Sequence, residues 1–367
     1  MGFWNRGVEM KGKIYAICLL TLFFAGAVGV FFAASYSLND TVAAIAGFAT
    51  SIVVAPVFHE LGHILFAAAN GMHIRYTKFF CFRIYERDGK TRFSFANPFT
   101  ADETQVVAKT GDDMQRRTLR YVSGGLIFGG WLLLLLLVPA VVLSCFGIHS
   151  FALWGMVPYC AYLFFLNVVP AEYAMGKTDA LVYGEIRKGL PQGEAMVRAM
   201  QIQGRLFEGE SFAEIEEECY CVYGLREDEP LYALLWDLKY RYHLEKGELP
   251  NAADCLNRLI GAVQYLSLGA YESLRVETAY MRLLQMDASA LKELMEKDEA
   301  FLRSDDYRAK RLLATYAAAC GETEKAERLV AQAKAALGKE RITGLKKHEY
   351  ILLERLTTHK QAEEKTN

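Results

Sequence analysis

The stretch from Val42 to Ala69 reads VAAIAGFATSIVVAPVFHELGHILFAAA. Its 28 residues are long enough to cross a lipid bilayer as a helix, which takes about 20 apolar residues. Three ionisable side chains interrupt it, His59, Glu60 and His63. In the middle of a bilayer each costs roughly 2.5–3.5 kcal/mol, so the group needs a compensating partner. A bound cation would supply that compensation.

His59 to His63 form an H-E-x-x-H pentad. On a helix, side chains four residues apart lie on one face, so both imidazoles can bind the same metal ion. Glu60 lies on the adjoining strip, where its carboxylate can reach a metal-bound water without filling a ligand position. The pentad therefore predicts two metal ligands and a general base. A hydrogen-bonded polar cluster between helices is the alternative.

Three further stretches are long and apolar: residues 14–34, 121–148 and 151–169. Backbone groups in lipid must be satisfied internally, so all four stretches predict transmembrane helices. Near the start of the third span, Gly125 and Gly129 form a small-xxx-small pair that favours close helix packing. The expected fold class is mainly α: a polytopic membrane helix bundle with a small β-hairpin insert, followed by an α-helical cytoplasmic domain.

Charge divides the chain near residue 180. Residues 1–180 carry 14 Lys or Arg and 11 Asp or Glu, and the remainder carries 27 and 32. Ten of the cations lie between Arg75 and Arg120, and cations near the ends of spans tend to stay in the cytoplasm. We therefore expect an integral, multi-pass protein of the lipid bilayer with both termini cytoplasmic. The net charge of −2 gives no basis for a nucleic-acid partner.

Two domains are expected, a membrane domain over residues 1–185 and a soluble helical cytoplasmic domain over residues 190–367. In the second, Leu313–Leu337 predicts two helices joined at Gly321, like a tetratricopeptide unit, with a weaker echo around Gly247. A small solenoid and an irregular helical bundle both fit this pattern. A solenoid's concave face would suit a protein partner.

A β-hairpin is expected over about residues 76–97. Lys78–Tyr85 and Thr91–Ala96 are rich in aromatic and β-branched residues and flank Asp88-Gly89, a strong hairpin signal. Two roles are compatible with a hairpin at the membrane surface. It can accept an unwound substrate as an added strand, or it can simply cover the metal site.

A third metal ligand is expected after the fourth span, because catalytic zinc usually has three protein ligands and an open fourth position. Residues 166–180 read LNVVPAEYAMGKTDA. Asn167 and Pro170 should interrupt the helix and leave non-helical backbone, from which a carboxylate can turn back towards the metal. Asp179 and Glu172 are the two acids in this stretch, and either satisfies the ligand chemistry.

Over about residues 40–185 the chain resembles the site-2 protease family of intramembrane zinc metalloproteases. The resemblance rests on the pentad in an apolar helix, on Ala67–Gly71 at its end, on the glycine-rich opening of residues 121–148, and on Asn167-x-x-Pro170 followed by an aspartate. In this family the aspartate usually stands closer to the proline and precedes a glycine. Here a longer insert ends in Thr178-Asp179-Ala180, similar to the Ser-Asp-Gly-like triplet of some relatives.

The resemblance implies a role for each matching residue. It implies that one Zn²⁺ per chain is bound by His59, His63 and Asp179, with Asp179 favoured over Glu172. It further implies that Glu60 activates water, that Asn167 helps to position the substrate, and that the protein resides in a bacterial plasma membrane.

The expected function is that of a zinc metalloendopeptidase acting on membrane-spanning or membrane-tethered protein substrates. A substrate helix hides its amides in internal hydrogen bonds, so it must unwind near the site, which predicts helix-breaking residues near the cleaved bond. Two alternatives stay open. One is a catalytically inactive membrane scaffold that recruits partners through the cytoplasmic domain, and the other is a transporter-like protein with an intramembrane ion site.

Overall fold

A computed structural model describes residues 2–87, 90–97, 103–108, 113–173, 176–221, 223–266, 268–285, 287, 301–302, 304–338 and 340–363. Within these residues the chain is mainly helical, with twelve α-helices and a small antiparallel sheet. This confirms the expected fold class at that level. Internal contacts divide the chain into two units, Met1–Val197 and Arg198–Asn367.

Four helices of the first unit are long and apolar enough to cross a membrane. The third of these helices ends at Cys145, whereas the predicted span ended at Ile148. Gly147 adopts a φ of 74°, a left-handed conformation that commonly ends helices. Large apolar side chains such as Leu22 and Leu135 are exposed on these helices. The helices are α1 (Gly2–Ala34), α2 (Leu38–Ala69), α3 (Met114–Cys145) and α4 (Phe151–Val168).

Glycines let α2 approach its neighbours closely. A Cβ at Gly47 would lie 2.0 Å from the carbonyl oxygen of Ala152 in α4. A Cβ at Gly62 would lie 2.2 Å from the carbonyl oxygen of Gly124 in α3. Backbone therefore contacts backbone at both crossings, as small residues allow. The half of α2 that carries the pentad is consequently held against α3.

The antiparallel sheet has the strand order β3-β2-β1-β4. The predicted hairpin corresponds to β2 and β3, whose register pairs Arg87 with Lys90, and Asp88-Gly89 lies outside the described residues. The predicted run Lys78–Tyr85 is divided between two strands because Phe80 takes a φ of 50° and turns the chain. The strands are β1 (Met72–Phe79), β2 (Phe82–Arg87), β3 (Lys90–Phe95) and β4 (Glu103–Ala108).

Thr178 connects the end of α4 with the helix that follows. Its hydroxyl donates to the carbonyl of Val169 at 2.9 Å and accepts the backbone N–H of Leu181 at 3.3 Å. This N-cap places Asp179 at the first position of the next helix. The segment comprises β5 (Glu172–Tyr173), β6 (Gly176–Lys177) and α5 (Asp179–Arg187), and α6 (Pro191–Glu208) follows.

Two tight turns connect successive helices in the second unit. Gly247 and Gly321 have φ values of 79° and 75° and stand between paired helices, so both helical hairpins predicted around these glycines are present. The tetratricopeptide-type architecture itself stays a prediction. The helices are α7 (Pro230–Lys246), α8 (Leu249–Gly261), α9 (Leu268–Leu284), α10 (Tyr307–Ala319), α11 (Thr323–Leu337) and α12 (Thr343–Glu363).

A buried charge cluster joins four of these helices. Arg311 of α10 donates to Glu277 of α9 at 2.7 and 2.8 Å, and to both carboxylate oxygens of Glu349 of α12 at 3.1 Å. Tyr240 of α7 donates to Glu277 at 2.9 Å. Burial raises the pKa of Glu277, but Arg311 and Arg241 lower it more, to about 2. The cluster is therefore ionised and internally compensated.

Candidate metal centre

Three potential metal-ligand atoms converge between α2 and α5. Nε2 of His59 and Nε2 of His63 lie 3.4 Å apart. Oδ2 of Asp179 lies 3.1 Å from the first nitrogen and 3.2 Å from the second. The three atoms form a nearly equilateral triangle. Within the described part of the chain, His59, Glu60 and His63 also form a group whose ligand atoms all lie within 4.8 Å of one another.

Hydrogen bonding around His63 fixes which ring nitrogen faces Asp179. The Nδ1–H donates to the backbone carbonyl of Tyr121 at 3.0 Å, so Nε2 of the neutral ring carries a lone pair. Oδ2 of Asp179 is buried and has no aligned hydrogen-bond donor among the described residues. Two lone-pair atoms 3.2 Å apart repel each other unless a proton or a metal ion lies between them. The residues therefore fit a metal ion.

The spacing of the triangle suits a tetrahedral ion. Metal–ligand bonds of about 2.0–2.1 Å give a tetrahedron with edges of roughly 3.3–3.4 Å. The observed separations of 3.1, 3.2 and 3.4 Å match three corners of such a tetrahedron. The fourth corner would be left for water or substrate. Two imidazoles and one carboxylate are a donor set that catalytic metal sites use.

Gly125 of α3 leaves the space that the two imidazoles occupy. A Cβ at this position would lie 2.4 Å from Nε2 of His63 and 2.6 Å from Cε1 of His59. The role predicted for this glycine was close packing of helix backbones, whereas the contact observed is with two imidazole side chains. Gly124, its neighbour, is the residue that packs directly against the α2 backbone. Gly125 is thus part of the candidate metal centre, a role that its sequence pattern did not reveal.

Replacing Gly125 by alanine is expected to lower metal affinity by about 10–100-fold, the range typical when groups that orient metal ligands are lost. The added methyl group would overlap both rings and displace their nitrogens. Metal content of the detergent-purified protein measures the effect. Gly129→Ala is the matched control, because its Cβ would make only ordinary contacts, 3.5 Å from Phe164 and 4.0 Å from Nδ1 of His59. Equal metal content in both variants would contradict the steric argument.

Glu60 is buried beside the triangle and is held by the sheet. Its side chain is 4% exposed, and its Oε2 accepts a hydrogen bond of 2.5 Å from the hydroxyl of Thr104 in β4. The hydroxyl of Thr77 in β1 lies 2.8 Å from that of Thr104. One carboxylate oxygen is thus engaged by the sheet. Sequence reasoning missed both threonines, because neither belongs to a recognisable motif.

The other two predicted site residues have different surroundings. Asn167 lines the same cavity as the ligands, but its amide nitrogen donates to the carbonyl of Leu163 in its own helix at 3.1 Å. Glu172, the alternative third ligand, is exposed on β5. The geometry therefore favours Asp179 as the carboxylate partner of the histidines.

Comparison of this chain with protein-family models, with curated proteins and with solved structures finds no match. The resemblance to site-2 proteases therefore rests on the residues quoted above. A function has to be inferred from the geometry of the site.

Proposed function

We propose that this chain is an intramembrane zinc metalloendopeptidase that cleaves membrane-spanning or membrane-tethered proteins. One observation carries the proposal. His59, His63 and Asp179 bring their ligand atoms within 3.4 Å of one another, beside the buried carboxylate of Glu60. Both histidines and Glu60 stand on α2, which is long and apolar enough to cross a membrane.

In this proposal His59, His63 and Asp179 hold one zinc ion. The chemistry that zinc supplies at such sites is Lewis acidity towards a carbonyl oxygen, together with a pKa near 7 for coordinated water. Glu60 takes a proton from the attacking water and passes it to the leaving amine. The side chain of Asp179 is 21% exposed, although its Oδ2 atom, the proposed ligand, is buried.

The space around the ligands suits an extended peptide. A cavity of about 310 Å³ is lined by residues of several elements, among them α2, α3, α4, α5 and β4, and ligand pockets typically begin at about this size. Among the described strands, β4 has β1 on one side and none on the other. An unwound substrate segment can therefore add to β4 as a further strand. Helix-breaking residues near the cleaved bond are the expected signature of such substrates.

The proposed location is a bacterial plasma membrane, which the four apolar helices cross with both termini in the cytoplasm. Their length, their composition and their exposed apolar side chains support a lipid environment. The ten cations between Arg75 and Arg120 support the orientation. A protein partner of the helical second unit belongs to the same proposal.

The third ligand offers the test of the proposed site. Asp179→Ala should lower bound zinc at least about 10-fold and abolish cleavage, whereas Glu172→Ala should keep one zinc per chain and full cleavage. Each variant is co-expressed with a panel of single-span membrane proteins that are tagged at both ends and carry glycine and proline at different depths of the span. Fragments are detected by immunoblotting, and zinc is measured in the purified chain.

The unaltered chain decides between the proposed function and its alternatives. Near-stoichiometric zinc together with fragments of panel proteins supports the protease. Metal-free protein that leaves every panel member intact refutes it and favours the scaffold or the transporter. Zinc loss in Glu172→Ala instead of Asp179→Ala would show that the ligand assignment is wrong.

A further inference from the structure

A directed chain of hydrogen bonds leads from the sheet to Glu60. The hydroxyl of Thr104 donates to Oε2 of Glu60 across their 2.5 Å contact. A hydroxyl has a single proton, and the oxygen of Thr104 must therefore accept the proton of Thr77, 2.8 Å away. Thr77 is 2% exposed and Thr104 7%, so water competes little for either group.

The register of the sheet fixes the positions of the two threonine hydroxyls relative to each other. Thr77 of β1 and Thr104 of β4 are direct cross-strand partners, so their side chains leave the same face of the sheet. A β-branched side chain also has few alternative rotamers, which limits where each hydroxyl can point. Hydrogen bonds in such a series polarise one another, and the bond to the carboxylate is strengthened.

The backbone of Thr104 is tied to the metal centre a second time. The hydroxyl of Tyr121 in α3 donates to the carbonyl of Thr104. The carbonyl of the same tyrosine accepts the Nδ1–H of His63 at 3.0 Å. Thr104 thus contacts the proposed base through its side chain, and it is linked to a proposed metal ligand through Tyr121. Displacement of β4 would disturb both groups together.

We propose that Thr104, supported by Thr77, is a positioning residue that fixes the orientation of the Glu60 carboxylate for proton transfer. The inference rests on the proposed protease function. With one oxygen held by Thr104, the carboxylate cannot rotate freely about its last torsion, and the other oxygen stays available to the attacking water. The sheet is then part of the machinery that aligns the base, beyond any role as a cover for the site.

The test compares Thr104→Val, which keeps the shape but removes the hydroxyl, with Thr104→Ser, which keeps the hydroxyl. Both are purified in detergent, with zinc content measured, and assayed on the panel protein that the unaltered chain cleaves best. In Thr104→Val we expect kcat to fall by about 10–100-fold, with KM and zinc content unchanged, because small misplacements of catalytic groups carry losses of that order. Thr104→Ser should recover most of the rate.

Two further variants sharpen the comparison. Thr77→Val should lower kcat by about 2–10-fold, the equivalent of one neutral hydrogen bond. Thr91→Val makes the same chemical change at an exposed position of β3 and should have no effect.

The outcomes separate this inference from the function on which it rests. Wild-type kcat in Thr104→Val overturns the positioning role and leaves the protease standing. Loss of zinc in Thr104→Val without recovery in Thr104→Ser also overturns it, because the residue would then serve only the structure. If the unaltered chain and all variants fail to cleave any panel protein, the protease and the positioning role are refuted together.

Discussion

Replacing Glu60 by glutamine should lower the cleavage rate by about 10²–10⁴-fold, the contribution typical of a general base. The amide has nearly the same shape as the carboxylate, and its oxygen can still accept the hydrogen bond from Thr104. It cannot, however, take a proton from water at neutral pH. Zinc content should stay near one per chain, because Glu60 is not one of the three proposed ligands, His59, His63 and Asp179. Cleavage of the panel protein and metal analysis of the same preparation measure both effects.

Glu172→Gln is the matched control for this substitution. It removes a carboxylate from the same unit, at an exposed position on β5. Its cleavage rate and zinc content should equal those of the unaltered chain. Undiminished proteolysis in Glu60→Gln would refute the assignment of the base. Loss of zinc in that variant would instead make Glu60 a ligand.

The second large effect is expected in the second unit. Arg311→Met should destabilise it by about 3–5 kcal/mol, because removal of one partner leaves buried charges without compensation. Glu277 and Glu349 would then lose the cation that bonds to both of them, with Arg241 left as a weaker, non-bonded neighbour, and both are at most 1% exposed. Amide hydrogen exchange of α9 and α12 in the full-length protein should become about 10²–10⁴-fold faster for protons that exchange only on unfolding of this unit.

Two comparisons identify the cause of that loss. Arg258→Met removes a charge that is 52% exposed and paired with Asp254, so exchange should change little. A triple variant that combines Arg311→Met with Glu277→Gln and Glu349→Gln should exchange more slowly than Arg311→Met alone, because it removes the unpaired charges. Unchanged exchange in Arg311→Met would contradict a structural role for the cluster.

Much of the first unit could be predicted because its signals are local. Apolar runs of helix-spanning length predict α1 to α4, and a pentad on one helix face predicts that His59 and His63 meet. The contact of Asp179 with the histidines depends on how residues far apart in the sequence pack together. Sequence reasoning predicted it only because catalytic zinc usually has three protein ligands and because the family resemblance favoured Asp179. Glu172 could not be excluded in that way, because its exposure on β5 is a property of the folded segment.

Other parts of the site left no trace in the sequence. Gly125 looks like an ordinary packing glycine, and its contact with the imidazoles depends on the way α2 and α3 cross. Thr104 lies on a six-residue strand, and its partner Thr77 is 27 residues away. The turn at Phe80 could not be predicted either, because a bulky residue rarely adopts a positive φ and is not a turn signal. The second unit remains ambiguous because helical periodicity does not specify how hairpins stack.

Under the proposed function, the pairing of Thr77 with Thr104 makes the register of β4 against β1 important for the site. Successive residues of a strand point to opposite faces, so a slip of one residue would turn the hydroxyl of Thr104 away from Glu60 and present Glu103 or Gln105 in its place. A single residue inserted into the strand should therefore abolish the proposed proteolysis while the proposed metal ligands remain intact. If the proposed function holds, the pairing register of one strand matters for catalysis as much as the composition of the helices does.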